Sequence, residues 1–212
     1  DAICGGTGRR AVPCGTLPTG SIVNTIDTDD SDTLINWKLG AVYKPVPQTS
    51  LYINYALSQQ PPGGLNFQLS DSATSANNPS MDPQEARTYE VGVKWDAVPD
   101  ALTLNAAVFR TDVLNEVSED DLGNPTQDGE KRVQGVELWM NGNITPNWAV
   151  SAGYTYLDTE VTEGDAITAS GSSDLTYTPD SAFTSWTTYR FPSGLTVGGG
   201  ARYTAGLTRG RD

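Results

Sequence analysis

Histidine is absent and only two cysteines occur among the 212 residues. Without histidine there is no His-based triad or dyad, and two cysteines are too few ligands for a zinc site. GGTGRR near the start lacks the GK[ST] ending of a phosphate loop. Basic residues are scarce, 13 against 26 acidic ones, for a net charge of -13. That balance argues against a nucleic-acid partner, which calls for a basic surface. Carboxylates are abundant, but nothing pairs two of them at a cleft as glycoside hydrolysis requires. These absences leave a binding or transport protein, not an enzyme. No run approaches the roughly 18 apolar residues of a spanning helix. That test does not reach strands, which need an apolar face on one side only.

Cys4 and Cys14 close the stretch CGGTGRRAVPC. A local disulfide is the expected use and implies an oxidising compartment such as the periplasm or cell exterior. It would add about 2–3 kcal/mol by restricting the unfolded loop, and two free thiols are the alternative. Acidic residues crowd into Asp27–Asp32, Glu116–Asp121 and Asp158–Asp165. Such runs read as solvated loops. Asp27, Asp29, Asp30 and Asp32 could offer oxygens to calcium, but the Gly and distal Glu of an EF-hand are missing. Residues 1–32 show no regular pattern and read as an irregular extracellular loop.

From residue 33 onward, about eight segments alternate apolar and polar residues: 33–44, 49–58, 85–96, 101–112, 130–143, 147–158, 182–191 and 195–205. Side chains of a strand alternate between faces. In 35–44, Ile35, Trp37, Leu39, Ala41 and Tyr43 share one face. Leu51, Ile53, Tyr55 and Leu57 repeat the pattern, as do Tyr89, Val91, Val93 and Trp95. None of these faces carries a charge. Glu90, Lys94, Glu137 and Arg202 lie on the opposite parity. Segment 182–191 is ambiguous, because Trp186 breaks parity with Phe183, Tyr189 and Phe191.

Connections alternate in length. Tight turns are expected at 45–48, 97–100, 144–146 and 192–194, and long loops at 59–84, 113–129 and 159–181. Short periplasmic turns and long extracellular loops are the habit of outer-membrane barrels. Oriented this way, Tyr43, Trp95, Trp148 and Tyr189 fall at the short-turn end. Tyr55, Tyr89, Tyr154, Tyr156 and Tyr203 fall toward the long loops. Two aromatic bands around an aliphatic belt match an interfacial girdle. The expected fold is therefore all-β, an antiparallel up-and-down transmembrane β-barrel, present as a partial barrel of about eight strands. Both ends would lie on the extracellular side, which suggests an arc of a larger barrel. A soluble or surface-exposed sandwich, such as an adhesin or glycan-binding protein, would explain the acidity and the disulfide but not the uncharged faces with aromatic bands.

The stretches YINYALSQQPPGGLNF (52–67), DPQEARTYEVGVKWD (82–96), LTLNAAVFRTDVLN (102–115) and KRVQGVELWMNGNIT (131–145) resemble TonB-dependent siderophore receptors. So do NWAVSAGYTYLDTEV (147–161) and TPDSAFTSWTTYRFPSGLTVGGGARYT (178–204), and the catecholate branch is the nearest in order and spacing. The resemblance covers most of 33–205. It implies an outer-membrane barrel of about 22 strands around a plug, a TonB box, and energy from the TonB complex. Plug, TonB box and about three closing strands are missing from the pattern here.

The resemblance further implies a ferric siderophore as cargo, outer-membrane lipid around the wall, and use of the loops by phage or bacteriocins. Iron would stay coordinated by the siderophore, so no cofactor and no protein metal ligand are expected. An anionic aromatic chelate favours Arg, Lys, Gln and aromatic partners. The candidates are Arg202, Arg87, Lys131, Arg132, Gln59, Gln60 and Phe67. Arg202 has lumen parity, whereas Arg110 and Arg132 fall on the apolar parity. Glu90, Lys94 and Glu137 are expected to contact the plug or one another. A hydroxamate siderophore, another chelate or a glycan is the alternative cargo.

Overall fold

The computed structural model describes residues 2–3, 15–16, 31, 33–62, 69–70, 72, 75, 77–119, 125–164 and 171–207. Two short strands, β1 (Ala2–Ile3) and β2 (Gly15–Thr16), pair antiparallel. The main body is one sheet of β3 (Trp37–Val46), β4 (Thr49–Gln60), β5 (Gln84–Val98), β6 (Leu102–Glu119), β7 (Pro125–Thr145), β8 (Trp148–Glu163), β9 (Ser181–Arg190) and β10 (Thr196–Thr204). Every strand pairs antiparallel with its sequence neighbour, in the order β10-β9-β8-β7-β6-β5-β4-β3. This is an up-and-down meander. β3 and β10 each have one neighbour, so the described sheet is an open arc.

The alternation seen in the sequence survives as two faces. Val91, Val108 and Val136 share a rung, as do Val93, Ala106 and Leu138. No second layer covers them: Val91 is 52% exposed, Val108 53% and Leu39 69%. Ala107 is the one hydrophobic residue buried below 9% among the described residues. A water-soluble sandwich cannot leave a continuous apolar face of this size uncovered, whereas bilayer hydrocarbon covers it without a second sheet.

The aromatic bands are in register. Trp37, Tyr55 and Tyr89 form a ladder with ring centroids 5.0 and 4.9 Å apart. Trp37 thereby joins the outer band. At the other end Trp148 pairs with Tyr189, whose ring lies 4.9 Å from Phe191. Trp148 also donates its indole N–H to Thr187 Oγ1 at 2.7 Å. Such rings keep an apolar body in lipid and a polar edge toward water.

Short connections occur where they were expected. The turn after β5 uses Asp100 at φ 56°, a left-handed conformation that Asp tolerates. Opposite it, Gly142 has φ 136° and no room for a side chain, since a Cβ would lie 2.0 Å from the Ala101 carbonyl oxygen. This close approach lets Asn143 N–H donate to that same oxygen at 2.7 Å.

The long-loop expectation at 113–129 needs correction. β6 and β7 remain paired through Glu116–Gly129, Ser118–Thr126 and Glu119–Pro125. Register shifts at Val113/Glu116 and Glu116/Ser118, with Asn115 at φ 57°, break the two-residue period that marks a strand in sequence. β8 likewise continues to Glu163, into the segment expected as a loop at 159–181. The ambiguity of segment 182–191 is resolved: Phe183, Ser185 and Tyr189 join the apolar face, and Trp186 faces the other way, with a ring atom 2.8 Å from where a Gly200 Cβ would lie.

Depth in the bilayer sets the expected mutational cost. Val91→Arg, midway between the aromatic bands, should destabilise the full-length protein in lipid vesicles by about 2–4 kcal/mol, and Val46→Arg, beside a short turn, by about 0–1 kcal/mol. Urea unfolding measures both, and equal costs would contradict the assigned depths.

Candidate functional site

The wall carries three levels of chemistry, two on its polar face and one on the other. At mid-height, Tyr52, Gly92, Ala107, Glu137 and Thr155 share one rung. Asn54, Glu90 and Phe109 lie on the rung above. Lys94, Asn105, Trp139, Gly153, Thr184 and Arg202 lie on the rung below. Gly92 creates the space: a Cβ there would meet the Tyr52 ring at 2.4 Å, so glycine lets the phenol lie across β5 toward Glu90 and Asn105. Asn105 Oδ1 is buried with no hydrogen-bond partner among the described residues. A wall with Glu90, Glu137, the Tyr52 hydroxyl and an unpaired amide oxygen is rich in acceptors. It suits a partner that brings donors.

The second level stands above the outer aromatic band. A cavity of about 250 Å³ lies between the 77–82 segment and the tops of the strands, lined by Gln60, Asn77, Asp82, Gln84, Glu116 and Gln127. The segment is held down at two points. Gln127 accepts from Asp82 N–H at 2.7 Å and donates to the Asp82 carbonyl at 2.8 Å. Asn115 donates to the Pro83 carbonyl at 3.0 Å. The bulge at Val113/Glu116 turns Glu116 toward Lys131, and the two form an ion pair.

The third level is on the apolar parity, beyond the outer aromatic band. Arg87, Asp112, Arg132 and Glu160 share a rung. Asp112 accepts from Arg110 Nε at 2.8 Å and from Arg132 Nε at 2.8 Å. Arg87 Nε donates to Glu85 at 2.5 Å. Partial burial works to raise the Asp112 pKa, but hydrogen bonds from Arg110 and Arg132 outweigh it and hold the carboxyl below the usual carboxylate range.

The sequence candidates are therefore dispersed. Gln60 lines the upper cavity, and Lys131 is linked to it through its ion pair with the lining residue Glu116. Arg202 lies lower, on the polar face, opposite Thr184. Arg87 and Arg132 stand on the other side of the wall. Gln59 ties the entry of β3, accepting from Ile35 N–H at 3.1 Å while its own N–H donates to Asn36 Oδ1 at 2.6 Å. Phe67, Cys4, Cys14 and the Asp27–Asp32 run lie outside the described residues, although β1 and β2 pair immediately beside the two cysteines. Sequence reasoning passed over Tyr52, Asn105 and Trp139, whose signal was their place on the polar parity of strands otherwise read for their apolar side. A larger concavity, about 630 Å³, opens on the apolar face, where small Ala106 and Ala152 sit among Trp95, Leu138, Tyr154 and Phe183. Its lining is almost wholly apolar, with Thr49 and Asn105 the polar exceptions and no charged residue among them.

Residues 15–212 match the family described as TonB dependent receptor-like, beta-barrel. The chain is 48% identical over 212 residues to the catecholate siderophore receptor Fiu of Escherichia coli (strain K12), covering 99% of this chain and 28% of that protein. The closed-form crystal structure of that ferric-catecholate import receptor superposes with a TM-score of 0.87 at 46% identity, over 100% of this chain and 30% of that one. The structure of FpvAI in complex with pyocin S2 matches with a TM-score of 0.63 at 28% identity, over 79% of this chain and 22% of that one. This chain thus spans less than a third of the length of the curated relatives it matches. It belongs to the TonB-dependent receptor family, a family of receptors and transporters, and its strands are outer-membrane barrel wall.

The Asp112 pairing gives a pH prediction. A depressed carboxylate pKa contributes stability that is fully present above the unfolded value and is lost as pH falls through the folded one. The stability difference between the wild-type full-length protein and Asp112→Asn should be constant above about pH 5 and shrink below it. Unfolding midpoints across an acid series measure this, and a gap unchanged down to about pH 2 would remove Asp112 as a titrating contributor.

Proposed function

We propose that this arc of a TonB-dependent receptor barrel serves an outer-membrane receptor that binds ferric catecholate siderophores and imports them by TonB-dependent active transport. The observation that carries the reading is the 48% identity to a catecholate siderophore receptor, sustained over 99% of the chain. Iron is cargo here and stays within its chelate, so the protein supplies recognition and not coordination. No catalytic step is ascribed to the chain.

The residues support a division of labour by height. Lys131 and Gln60, around the upper cavity, and Arg202, on the lumen-facing parity below it, are the groups offered to an anionic aromatic ligand. Charge-assisted hydrogen bonds from Arg and Lys suit catecholate oxygens, and the amide of Gln60 adds a neutral donor. Glu90 and Glu137, with Tyr52 and Asn105, form the wall against which a donor-bearing plug would seat. The acceptors need donors, and burial without them costs about 1–3 kcal/mol per group. The TonB complex would act through parts of the receptor beyond this arc. Bacteriocins are further partners for the loops, in keeping with the pyocin bound to the similar FpvAI. Cys4 and Cys14 are proposed to be bridged, since the β1–β2 pairing ends one residue short of each.

Two measurements check this reading. The full-length protein should bind a ferric catecholate at least about tenfold more tightly than a ferric hydroxamate, and Arg202→Glu should weaken catecholate binding by about tenfold. Equal affinities for the two chelates in tryptophan-fluorescence titrations would remove the catecholate preference. Mass spectrometry of a non-reduced digest should recover a peptide joining Cys4 to Cys14, and recovery of both as alkylated thiols would remove the bridge.

A further inference from the structure

The cavity above the outer aromatic band has a chemistry that the anionic part of a ferric chelate does not use. Gln60 and Gln84 are direct cross-strand partners on the lumen-facing parity. Asn77 and Asp82 reach the cavity from the 77–82 segment, and Glu116 and Gln127 from the tops of β6 and β7. No basic side chain is among its described lining residues. Lys131 pairs its charge with Glu116. It stands on the rung of Ala86, one rung below Gln84 and so about 7 Å lower on the wall.

The shape of the cavity is set before anything enters it. Gln127 holds both backbone groups of Asp82, at 2.7 and 2.8 Å, as a neighbouring strand would. Asn115 donates to the Pro83 carbonyl at 3.0 Å. Within the segment, Met81 N–H donates to the Asn78 carbonyl at 3.0 Å, and the Asn78 amide donates to the Ser72 carbonyl at 2.9 Å. A roof fixed at these points keeps its side chains at a constant distance from the strand tops. Binding beneath it then has little left to order.

The hydrogen-bonding capacity left inside is mixed. The side-chain amides of Gln60, Asn77 and Gln84 and the Asp82 carboxylate have no hydrogen-bond partner among the described residues. A carboxamide offers two N–H donors and an acceptor oxygen, whereas a carboxylate only accepts. An anion would meet Asp82 and Glu116. An ammonium group would satisfy those carboxylates but leave the amide donors facing a cation. A hydroxyl donates and accepts at one atom, so several hydroxyls serve amides and carboxylates together. They also take the place of water at such groups without loss of bonds. Met81 and Val117 add apolar edges that suit the carbon frame between hydroxyls.

We propose that this cavity is a specificity subsite for an uncharged, hydroxyl-bearing arm of the cargo. Gln60, Asn77 and Gln84 read the arm, and Gln127 is the positioning residue that sets the roof. The proposal rests on the reading of the protein as a receptor for a ferric chelate. The charged core of the chelate lies lower, toward Lys131, and the arm rises into the cavity. Discrimination among cargos then comes from the part of the molecule that does not touch iron.

The test titrates the full-length protein in detergent, by tryptophan fluorescence, with two ferric tris-catechol chelates. They differ in one pendant group, a tris(hydroxymethyl)methyl amide in one and a tert-butyl amide in the other. Wild type should bind the hydroxylated chelate about tenfold more tightly, as expected for a few added hydrogen bonds. In the double variant Gln60→Leu, Gln84→Leu the ratio of affinities should fall to about one, and in Gln127→Leu it should fall as well. The two chelates share their iron core, so a general weakening of binding leaves the ratio unchanged. Folding of each variant is checked by its heat-modifiable mobility. Equal binding of the pair by wild type would overturn the proposal. So would an undiminished ratio in the folded double variant, and an undiminished ratio in Gln127→Leu would overturn its positioning role. Tighter binding of a third chelate with an ammonium arm would assign the cavity to cations and overturn the neutral assignment. The same pair of arms is also built on a ferric trihydroxamate core. If the catecholates fail to bind, the catecholate reading falls by itself, and the ratio on the hydroxamate core decides for or against the subsite.

Discussion

A backbone placed in hydrocarbon has no water to satisfy its N–H and C=O groups, and each unsatisfied group costs several kcal/mol. Nearly everything in this chain follows from that constraint. Each of the eight long strands pairs with its neighbour in sequence, and the ladder persists through bulges. Because neighbouring strands satisfy the backbone, side chains need only suit the medium they meet. The protein therefore dispenses with a conventional core. Ala107 is buried although no second sheet layer lies over it among the described residues.

The same constraint gives the wall its vertical order. Aliphatic residues occupy the span between aromatic bands, where water is excluded. Charge returns on the lipid-facing parity only above the outer band, in the Arg110–Asp112–Arg132 cluster. On the other face polar groups run the full height, from Lys94 through Glu90 to Lys131. A single strand thus serves two solvents, and the function of a side chain depends on its parity and its height together. Arg132 and Lys131 show this well. They are adjacent in sequence and nearly equal in height, yet Lys131 pairs with Glu116 and Arg132 pairs with Asp112 on the opposite side of the wall.

What could be read from the sequence was what obeys a strict two-residue period. Strands, their uncharged faces, the short turns and the bands at Tyr89 and Trp95 all follow from parity. The paired continuation of β6 and β7 beyond Val113 escaped, since Asn115 in a left-handed conformation and a bulge destroy the period just where the strands leave the membrane. The upper cavity was illegible for another reason. It depends on Gln127 holding Asp82, a contact across 45 residues that no local pattern encodes. The clustering of Arg110 with Arg132 around Asp112 needed the strand register, because their spacing in sequence says nothing of which rungs meet. Trp186 was ambiguous for lack of the same register. Once it is paired with Ser151 and Gly200, its parity is fixed.

Register also explains why basic residues were poor guides to a ligand site when taken one at a time. In an anion receptor, any arginine near the long loops looks like a candidate. The wall sorts them by physical cost. An arginine facing the lumen can remain solvated at any depth, as Arg202 does at mid-wall. One on the other parity is tolerable only where hydrocarbon has ended. Arg87 and Arg132 satisfy the second condition, and their Nε–H groups donate to Glu85 and Asp112. The rule that excludes charge from the lipid face therefore places the few charges that stand on that parity beyond the hydrocarbon.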